Sequence, residues 1–472
     1  MARKGRWGAA TVTIASASLA ALLIAAPSTA TAARPNVVVV MTDDQDVASM
    51  RVMDDTRRLI GRRGVKFVNS YVTTPLCCPS RATFHTGRYT HNHRVVANEG
   101  PRGGAFGFSR RVKPRWTLAV RLHRAGYRTG YVGKYLNDPH ADGTLNVPRG
   151  WNRWFEALSQ QMYNVPLNAN GRLQFYGTSA RDYGTNLLAR KALRFLSTSA
   201  RRPKPFFLML GIVAPHIDAD RKGANQNPLA APRHRTRFDH APLRRSPSFN
   251  ERDVSDKPRF IRDPPLRRRE KRELRARYRS RLESLLAVDD AVERIVHRLR
   301  RVGERHKTVL IFTSDNGYLL GEHRLHGKAR PYEESARVPL LIRGPGIPRG
   351  KRRTQIVGNV DLAPTILDLA GGRRRGMDGR SLLPLVRNPN RAQGRDLLIE
   401  FLKGGGLRPF KAIRSSNYLL VNHPGRAGEL YNLARDPFQL HNRYRDRRYR
   451  DVRRQLRSRL EALEDCRGAR CR

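Results

Sequence analysis

Acidic side chains are the first thing this 472-residue chain is short of: 40 Asp and Glu stand against 92 Lys and Arg, a formal net charge of +52. Apolar residues are also sparse, at 39%, and charge fills the deficit. The cations occur almost everywhere and form no single stripe, which describes a solvated surface before it describes a binding face. No nucleic-acid recognition module accompanies them, so charge alone is no argument for a nucleic-acid partner and none is expected. Internal repeats are absent, which excludes an array of stacked units. Beyond the N-terminus no stretch is long and apolar enough to cross a bilayer, so no stable membrane insertion is expected. Cysteine is confined to four positions, Cys77, Cys78, Cys466 and Cys471.

The length admits one large domain plus a smaller one, with an ample core. Residues 1–32 read as a targeting segment. Lys4 and Arg6 supply a positive start, an apolar run passes through Leu19–Ile24, and Ala30-Thr31-Ala32 offers small residues for cleavage. A signal peptide is therefore expected, leaving a secreted chain that begins near Ala33. An uncleaved anchor is the alternative, although the run is short for a span. In an oxidising compartment Cys466 and Cys471, close together at the C-terminus, could close a small loop. Cys77 and Cys78 are adjacent, and an adjacent pair rarely bridges to itself.

Asn36–Met41 is an apolar, β-branched run of the kind buried in a parallel sheet, and Pro205–Ile212 and Thr308–Thr313 repeat it. Leu285, Val288, Val292, Ile295, Val296 and Leu299 have the three-and-four spacing of a helix packed on that sheet. Leu362–Leu369 is a second helix, with Pro364 tolerated in its first turn. Strands alternating with helices predict an α/β fold with a largely parallel sheet. From about Asp220 to Arg269 the composition turns to Pro, Arg, Asn and Asp without periodicity, which predicts a long surface excursion that could line the substrate entrance. After Pro389, Leu397–Phe401, Phe410–Arg414 and Tyr418–Val421 read as short strands, and Glu429–Leu433 leads to a basic terminal helix.

Asp43 and Asp44 follow the first strand, and Asp315-Asn316 follow the strand at Thr308–Thr313. Ligands collect at the carboxyl ends of strands in open α/β sheets. Three aspartates and an asparagine there are hard oxygen donors, suited to Ca²⁺ or Mg²⁺ rather than to zinc or copper. Either pair alone would more often be a helix cap or a turn. Between them stands Cys77-Cys78-Pro79-Ser80-Arg81, followed by Thr86-Gly87-Arg88.

That string resembles the signature of the type I sulfatases, and Asp43-Asp44-Gln45 and Ser314–Gly317 match the segments that supply the family's calcium ligands. Gly133–Asn137, His91-Asn92-His93 and Thr42–Asp46 are most similar to the N-acetylglucosamine-6-sulfatase and glucosamine-6-endosulfatase branch. The likeness runs with few breaks from about Pro35 to Leu385. It implies an alkaline-phosphatase/sulfatase-like architecture: a large, mostly parallel sheet sandwiched by helices, over residues 33–390, and a small C-terminal antiparallel sheet plus helix, over 391–472. It also implies that Cys77 is converted to formylglycine (3-oxoalanine) by a formylglycine-generating enzyme, leaving Cys78 as a buried thiol. The implied metal set is Asp43, Asp44, residue 77, Asp315 and Asn316, holding calcium, with magnesium as the alternative.

A hydrated aldehyde carries two hydroxyls on one carbon. One attacks sulfur and displaces the alcohol; loss of the proton from the other re-forms the aldehyde and expels sulfate by C–O cleavage, where a serine would keep a stable sulfate ester. In the resemblance Arg81 holds the hydrate, Lys134 and Lys328 bind the sulfate group, and His216 stands near the leaving oxygen as acid or hydrogen-bond donor. The implied activity is sulfate-monoester hydrolysis, on the 6-O-sulfate of glucosamine-type sugars. The net charge would then gather a sulfated polysaccharide, at a rate that falls with salt. Many arylsulfatases place a histidine where this chain has Leu136, and Asn137, His91 and His93 are the candidates to replace it. Two other readings stay open: a phosphomonoester or phosphonate hydrolase on the same scaffold, and a catalytically silent polyanion-binding protein.

Overall fold

The computed structural model describes residues 1–2, 5, 7–10, 34–139, 143–218, 226–388, 390, 395–403 and 406–472. The chain divides into two units, Met1–Ala33 and Arg34–Arg472, and the second holds everything that follows. Lys4, Arg6, the apolar run and the small-residue cleavage site of the expected leader lie outside the described residues. Among the described residues no helix is long and apolar enough to cross a membrane.

A ten-stranded sheet forms the centre. Its strands in chain order are β1 (Asn36–Thr42), β2 (Val65–Phe67), β3 (Arg128–Gly133), β4 (Arg153–Ala157), β5 (Leu167–Ala169), β6 (Leu173–Gln174), β7 (Phe206–Gly211), β8 (Thr308–Ser314), β9 (Leu340–Arg343) and β10 (Lys351–Arg353). They lie side by side as β10-β2-β9-β8-β1-β7-β3-β4-β5-β6. From β8 to β4 neighbouring strands run parallel, while β9 and β5 enter antiparallel on either side. The parallel α/β core predicted for this chain is therefore present, with antiparallel edges.

The alternation of side chains along β1 explains its unbroken hydrophobic run. Val38 and Val40 face one layer with Leu208, Leu210, Leu310 and Phe312. Two helices cover that face, α2 (Gly184–Ala200) and α3 (Arg268–Arg301), through Leu188, Ala192, Leu196, Val288, Val292 and Ile295. Val37, Val39 and Met41 face the other layer with Phe207, Met209, Val309 and Ile311. There they meet α1 (Cys77–Thr86), through Ala82 and Phe84, and α4 (Leu362–Leu369), through Leu362 and Ile366. Each strand residue is thus buried whichever way it points.

The region from 226 to 267 contributes two short helical turns, at Pro232–His234 and Arg259–Ile261, and no strand among its described residues, in keeping with the aperiodic sequence. A separate four-stranded antiparallel sheet follows: β11 (Leu397–Phe401), β12 (Phe410–Arg414), β13 (Tyr418–Asn422) and β14 (Glu429–Asn432). The amphipathic helix α5 (Arg450–Glu464) packs Leu456 and Leu460 into the same core as Ile399, Ile413 and Leu420. Cys466 and Cys471 are joined in a disulfide. Cys77 and Cys78 are both free and buried.

Gly133 closes β3 at a φ of 103°, where a side chain is strained, and a Cβ there would collide with the Gly211 carbonyl of β7. Backbone hydrogen bonds tie Lys134 N to Gly211 O at 2.9 Å, so this close approach sets where Lys134 emerges. Gly133→Ala is expected to destabilise the protein by about 3 kcal/mol, combining backbone strain with the steric clash. Denaturant unfolding of the variant checks this, and an unchanged midpoint would contradict it.

Candidate active site

Four neighbouring parallel strands deliver side chains to one place at their carboxyl ends, where the topology of an α/β sheet gathers ligands. β1 runs into Asp43 and Asp44, β8 into Asp315 and Asn316, β3 into Lys134, and β7, by way of Ile212–Pro215, into His216. α1 adds Cys77 at its first residue, after Leu76 as N-cap. The dipole of that helix points its positive end at Cys77, while the Cys78 N–H is already taken by Asn98 Oδ1 at 3.0 Å. Gly87, at a φ of 64°, ends the same helix.

Asp43, Asp44, Cys77 and His216 each offer one ligand atom, and these atoms all lie within 4.8 Å of one another. Cys77 Sγ lies 3.3 Å from Asp43 Oδ1 and 2.7 Å from Lys328 Nζ. Lys328 Nζ reaches Asp44 Oδ1 at 2.5 Å, and Lys134 Nζ is bonded to Asp43 Oδ2. Arg81 donates from Nε to Asp315 Oδ2 at 2.7 Å and from Nη1 to the Lys134 carbonyl at 2.6 Å. Its Nη2 is buried, 3.6 Å from Asp43 Oδ2, with no hydrogen-bond partner. His216 Nδ1 lies 2.9 Å from the Ile217 carbonyl, which fixes that nitrogen as the N–H donor. Its Nε2 faces Asp44 Oδ2 at 3.7 Å.

The side chains of Cys77, Asp43 and Arg81 are sealed from water, whereas Lys328 retains 17% and His216 11% exposure. A ligand therefore arrives from the side of Lys328 and His216. Burial pushes the carboxyl of Asp43 up, but Lys134, His216, Arg81 and Lys328 together hold it well below its ordinary value. Asp44 is likewise raised by burial and brought net down, chiefly by Lys328. Burial and repulsion from Asp43 raise Asp315 to about 6. Burial lowers His216 to about 4, and burial followed by the Asp43 charge raises the Cys77 thiol.

The donor set fits a hard divalent cation. Asn316 donates its amide to Asp44 Oδ1 at 2.7 Å and keeps Oδ1 buried without a hydrogen-bond partner, an orphaned oxygen beside the Asp43 and Asp44 carboxylates. Asp315 stands slightly back. Its Oδ1 accepts from Asp44 N at 3.1 Å and its Oδ2 from Arg81, so it orders the other ligands as well as adding charge. Asp46 accepts from Ser49 N and serves as a turn residue.

All the residues expected from sequence as catalytic or metal-binding converge here: Asp43, Asp44, Cys77, Arg81, Lys134, His216, Asp315, Asn316 and Lys328. Of the expected replacements for the missing histidine, His91 and His93 do not. Both ring nitrogens of His91 are engaged, Nδ1 by Glu400 at 3.0 Å and Nε2 near the Cys466 carbonyl at 3.0 Å, so it fastens the C-terminal sheet. His93 is closed off by Thr83 Oγ1 at 3.1 Å and Val95 N at 3.1 Å. Of the three, Asn137 alone keeps a buried side-chain oxygen without a partner.

Two supports went unread in the sequence. Arg281, on the buried face of α3, donates to the Pro215 carbonyl at 3.0 Å and to the Asp44 carbonyl at 2.5 Å, and lies 4.4 Å over the Tyr318 ring. It clamps the Asp44 turn, where φ is 66°, to the segment that carries His216. Asn359 donates to Ser80 Oγ at 2.9 Å, and Ser80 in turn donates to the Asp315 carbonyl. Nothing local marks Arg281 among so many arginines; its spacing of four from Leu285 and Arg277 would only place it on the helix.

Residues 35–372 match the family model described as Sulfatase, and residues 321–466 match N-sulphoglucosamine sulphohydrolase, C-terminal. The human N-acetylglucosamine-6-sulfatase is 38% identical over 78% of this chain and 67% of its own length. An extracellular sulfatase SULF-1 homolog of Drosophila melanogaster is also 38% identical, over 76% of this chain; the match spans only 32% of that longer protein. A solved structure of a protein in complex with its substrate D-glucosamine-2-N,6-O-disulfate has a TM-score of 0.75 at 24% identity, covering 91% of this chain and 97% of the other.

Calcium in hundredfold excess over its Kd is expected to stabilise the fold by about 2.7 kcal/mol. Asp43→Ala/Asp44→Ala should abolish the shift; a thermal melt with and without chelator reads both, and no calcium effect on the parent would contradict the cation site. Arg281→Met leaves two buried carbonyls unsatisfied and is expected to cost on the order of 3 kcal/mol in denaturant unfolding, with partial recovery in Arg281→Lys.

Proposed function

The chain belongs to the sulfatase family and is a sulfuric ester hydrolase, and we propose that it is an exported enzyme that removes the 6-O-sulfate of glucosamine-type sugars. The observation that carries this reading is the convergence of Asp43, Asp44, Cys77 and His216 within 4.8 Å, ringed by Arg81, Lys134 and Lys328. A sulfate ester needs a nucleophile and a set of cations for its oxygens at one point, and this is where the chain provides both. The 6-O-glucosamine assignment rests on the human relative's name and on the Gly133–Asn137 segment. Export rests on the leader-like N-terminus and on relatives named extracellular.

In this proposal Asp43, Asp44, Asp315 and Asn316 would hold a divalent cation, which would supply Lewis acidity to an attacking hydroxyl. Residue 77 is converted to formylglycine, which supplies a nucleophile able to release sulfate without a stable ester. Arg81 and Lys134 fix the buried end of the pocket, and the unpaired Arg81 Nη2 is a donor for developing negative charge. Lys328, at the solvent side, meets the incoming sulfate group. His216 keeps its proton at Nδ1 against the Ile217 carbonyl and turns Nε2 towards the site, where it would donate to the departing sugar oxygen once the ring takes up a second proton, a step that its burial disfavours.

Mass spectrometry of the peptide containing Cys77 is expected to show a thiol-to-aldehyde conversion, and Cys77→Ser to lose turnover by at least about a thousandfold, as removal of a nucleophile does. The purified enzyme should release sulfate from 6-sulfated glucosamine faster than phosphate from a matched phosphate ester. A fully active protein with an unmodified cysteine, or a preference for phosphate, would overturn the reading.

A further inference from the structure

At the opposite end of the sheet, β3 and β4 begin with arginines. Arg128 opens β3, and Arg153 opens β4 in register with Gly130. These two meet Lys191, Arg194 and Arg202, from α2 and the turn after it, around a concavity of about 490 Å³. No carboxylate lines it, and among the described residues none of the five cations makes an ion pair. Some exposed arginines elsewhere are neutralised by carboxylates, as Arg233 is by Asp290, Arg269 by Glu273 and Arg448 by Asp446. Arg128 is held below its ordinary value, first by burial and then by repulsion from Arg202 and Arg153. Like charges brought together without a counterion are stabilised by any polyanion that fills the space.

The cleft also has aromatic walls and a wet edge. Lys191 Nζ stands 5.0 Å from the Phe155 ring centroid and Arg128 lies 5.9 Å from that of Phe195, contacts that hold the cations in place. Gln174 of the edge strand β6 lines the cleft and accepts from Lys191 at 3.2 Å. The next residue, Phe175, is 74% exposed.

Arg128 and Lys134 are six positions apart, so the cleft and the catalytic pocket lie roughly 20 Å from each other along β3. A monosaccharide cannot touch both; a polymer can. We propose that this cleft is a second binding site for a stretch of sulfated polysaccharide, holding a long substrate on the enzyme while the catalytic pocket works on one unit. The inference rests on the sulfated-sugar reading of the active site, but its test does not require turnover.

The test compares the parent with Arg153→Gln/Arg194→Gln/Arg202→Gln, three exposed positions. Binding of a long heparin fragment is measured across a salt series, with both chains also carrying Cys77→Ala so that no ester is cut. Elution from a heparin column, without that substitution, repeats the comparison on the native site. The triple variant should bind about tenfold more weakly at moderate salt, with the slope of log affinity against log salt reduced by about two, as for three lost ionic contacts. Release of sulfate from 6-sulfated glucosamine itself should be unchanged, while kcat/KM on the long fragment falls. An unchanged heparin affinity and slope would overturn the proposal. So would a single-stranded RNA of equal charge that binds as tightly as heparin and loses affinity equally in the variant. If no sulfate is released from any substrate, the proposal for the active site fails, while the binding comparison still decides the cleft.

Discussion

The structure depends on a balance of buried charge. Three carboxylates, Asp43, Asp44 and Asp315, sit out of reach of water at the ends of two adjacent strands. Alone, such a group would be expelled or neutralised by protonation. Here Arg81, Lys134 and Lys328 are drawn in against them, and each cation is held by a different element: a helix, a strand end and a loop. The result is a pocket that is strongly polar yet sealed, in which every charge is worth more than it would be in water. That environment can grip a divalent cation and a sulfate group together.

The sheet supplies the rigidity this balance needs. Asp43 and Asp315 are positioned by strands that pair along their whole length, from Asn36 opposite Thr308 to Thr42 opposite Ser314. Lys134 emerges where two glycines let β3 and β7 approach, and Arg281 ties the Asp44 turn to the His216 segment from behind. The C-terminal sheet closes on the same region: Tyr332, on the segment after Lys328, donates to Glu429 of β14 at 2.8 Å. The loop that carries the most exposed cation of the site is thereby fastened at its far end.

Much of this was legible in the residues, for physical reasons that differ by element. The parallel core was readable because strands buried on both faces need unbroken apolar runs, and Asn36–Met41, Phe206–Gly211 and Thr308–Thr313 have them. The cluster of Asp43, Asp44, Asp315 and Asn316 was legible because each pair immediately follows such a run. The first half of α3 was obscured. Its inward residues Leu274, Tyr278 and Leu282 keep helical spacing, but they are separated by a dense run of arginines that hides the apolar stripe. His91 and His93 misled because a histidine's neighbours in sequence do not reveal its partners in space; Glu400 and Thr83 had already claimed them. Arg281 and the Arg128 cleft were invisible for the same reason: with 92 basic residues, only three-dimensional neighbours separate the ones with a task from the ones that solvate the surface.

The central claim is that the carboxylates and cations at the strand ends form a seat for a divalent ion next to an oxidised residue 77. A high-resolution crystal structure of the matured protein grown with calcium tests it most directly. The account predicts one cation in contact with Asp43, Asp44 and Asn316 Oδ1, and density at residue 77 for oxygen in place of sulfur. Lys134 and Lys328 still directly paired with Asp43 and Asp44, no cation between them, and a plain thiol at Cys77 would contradict it.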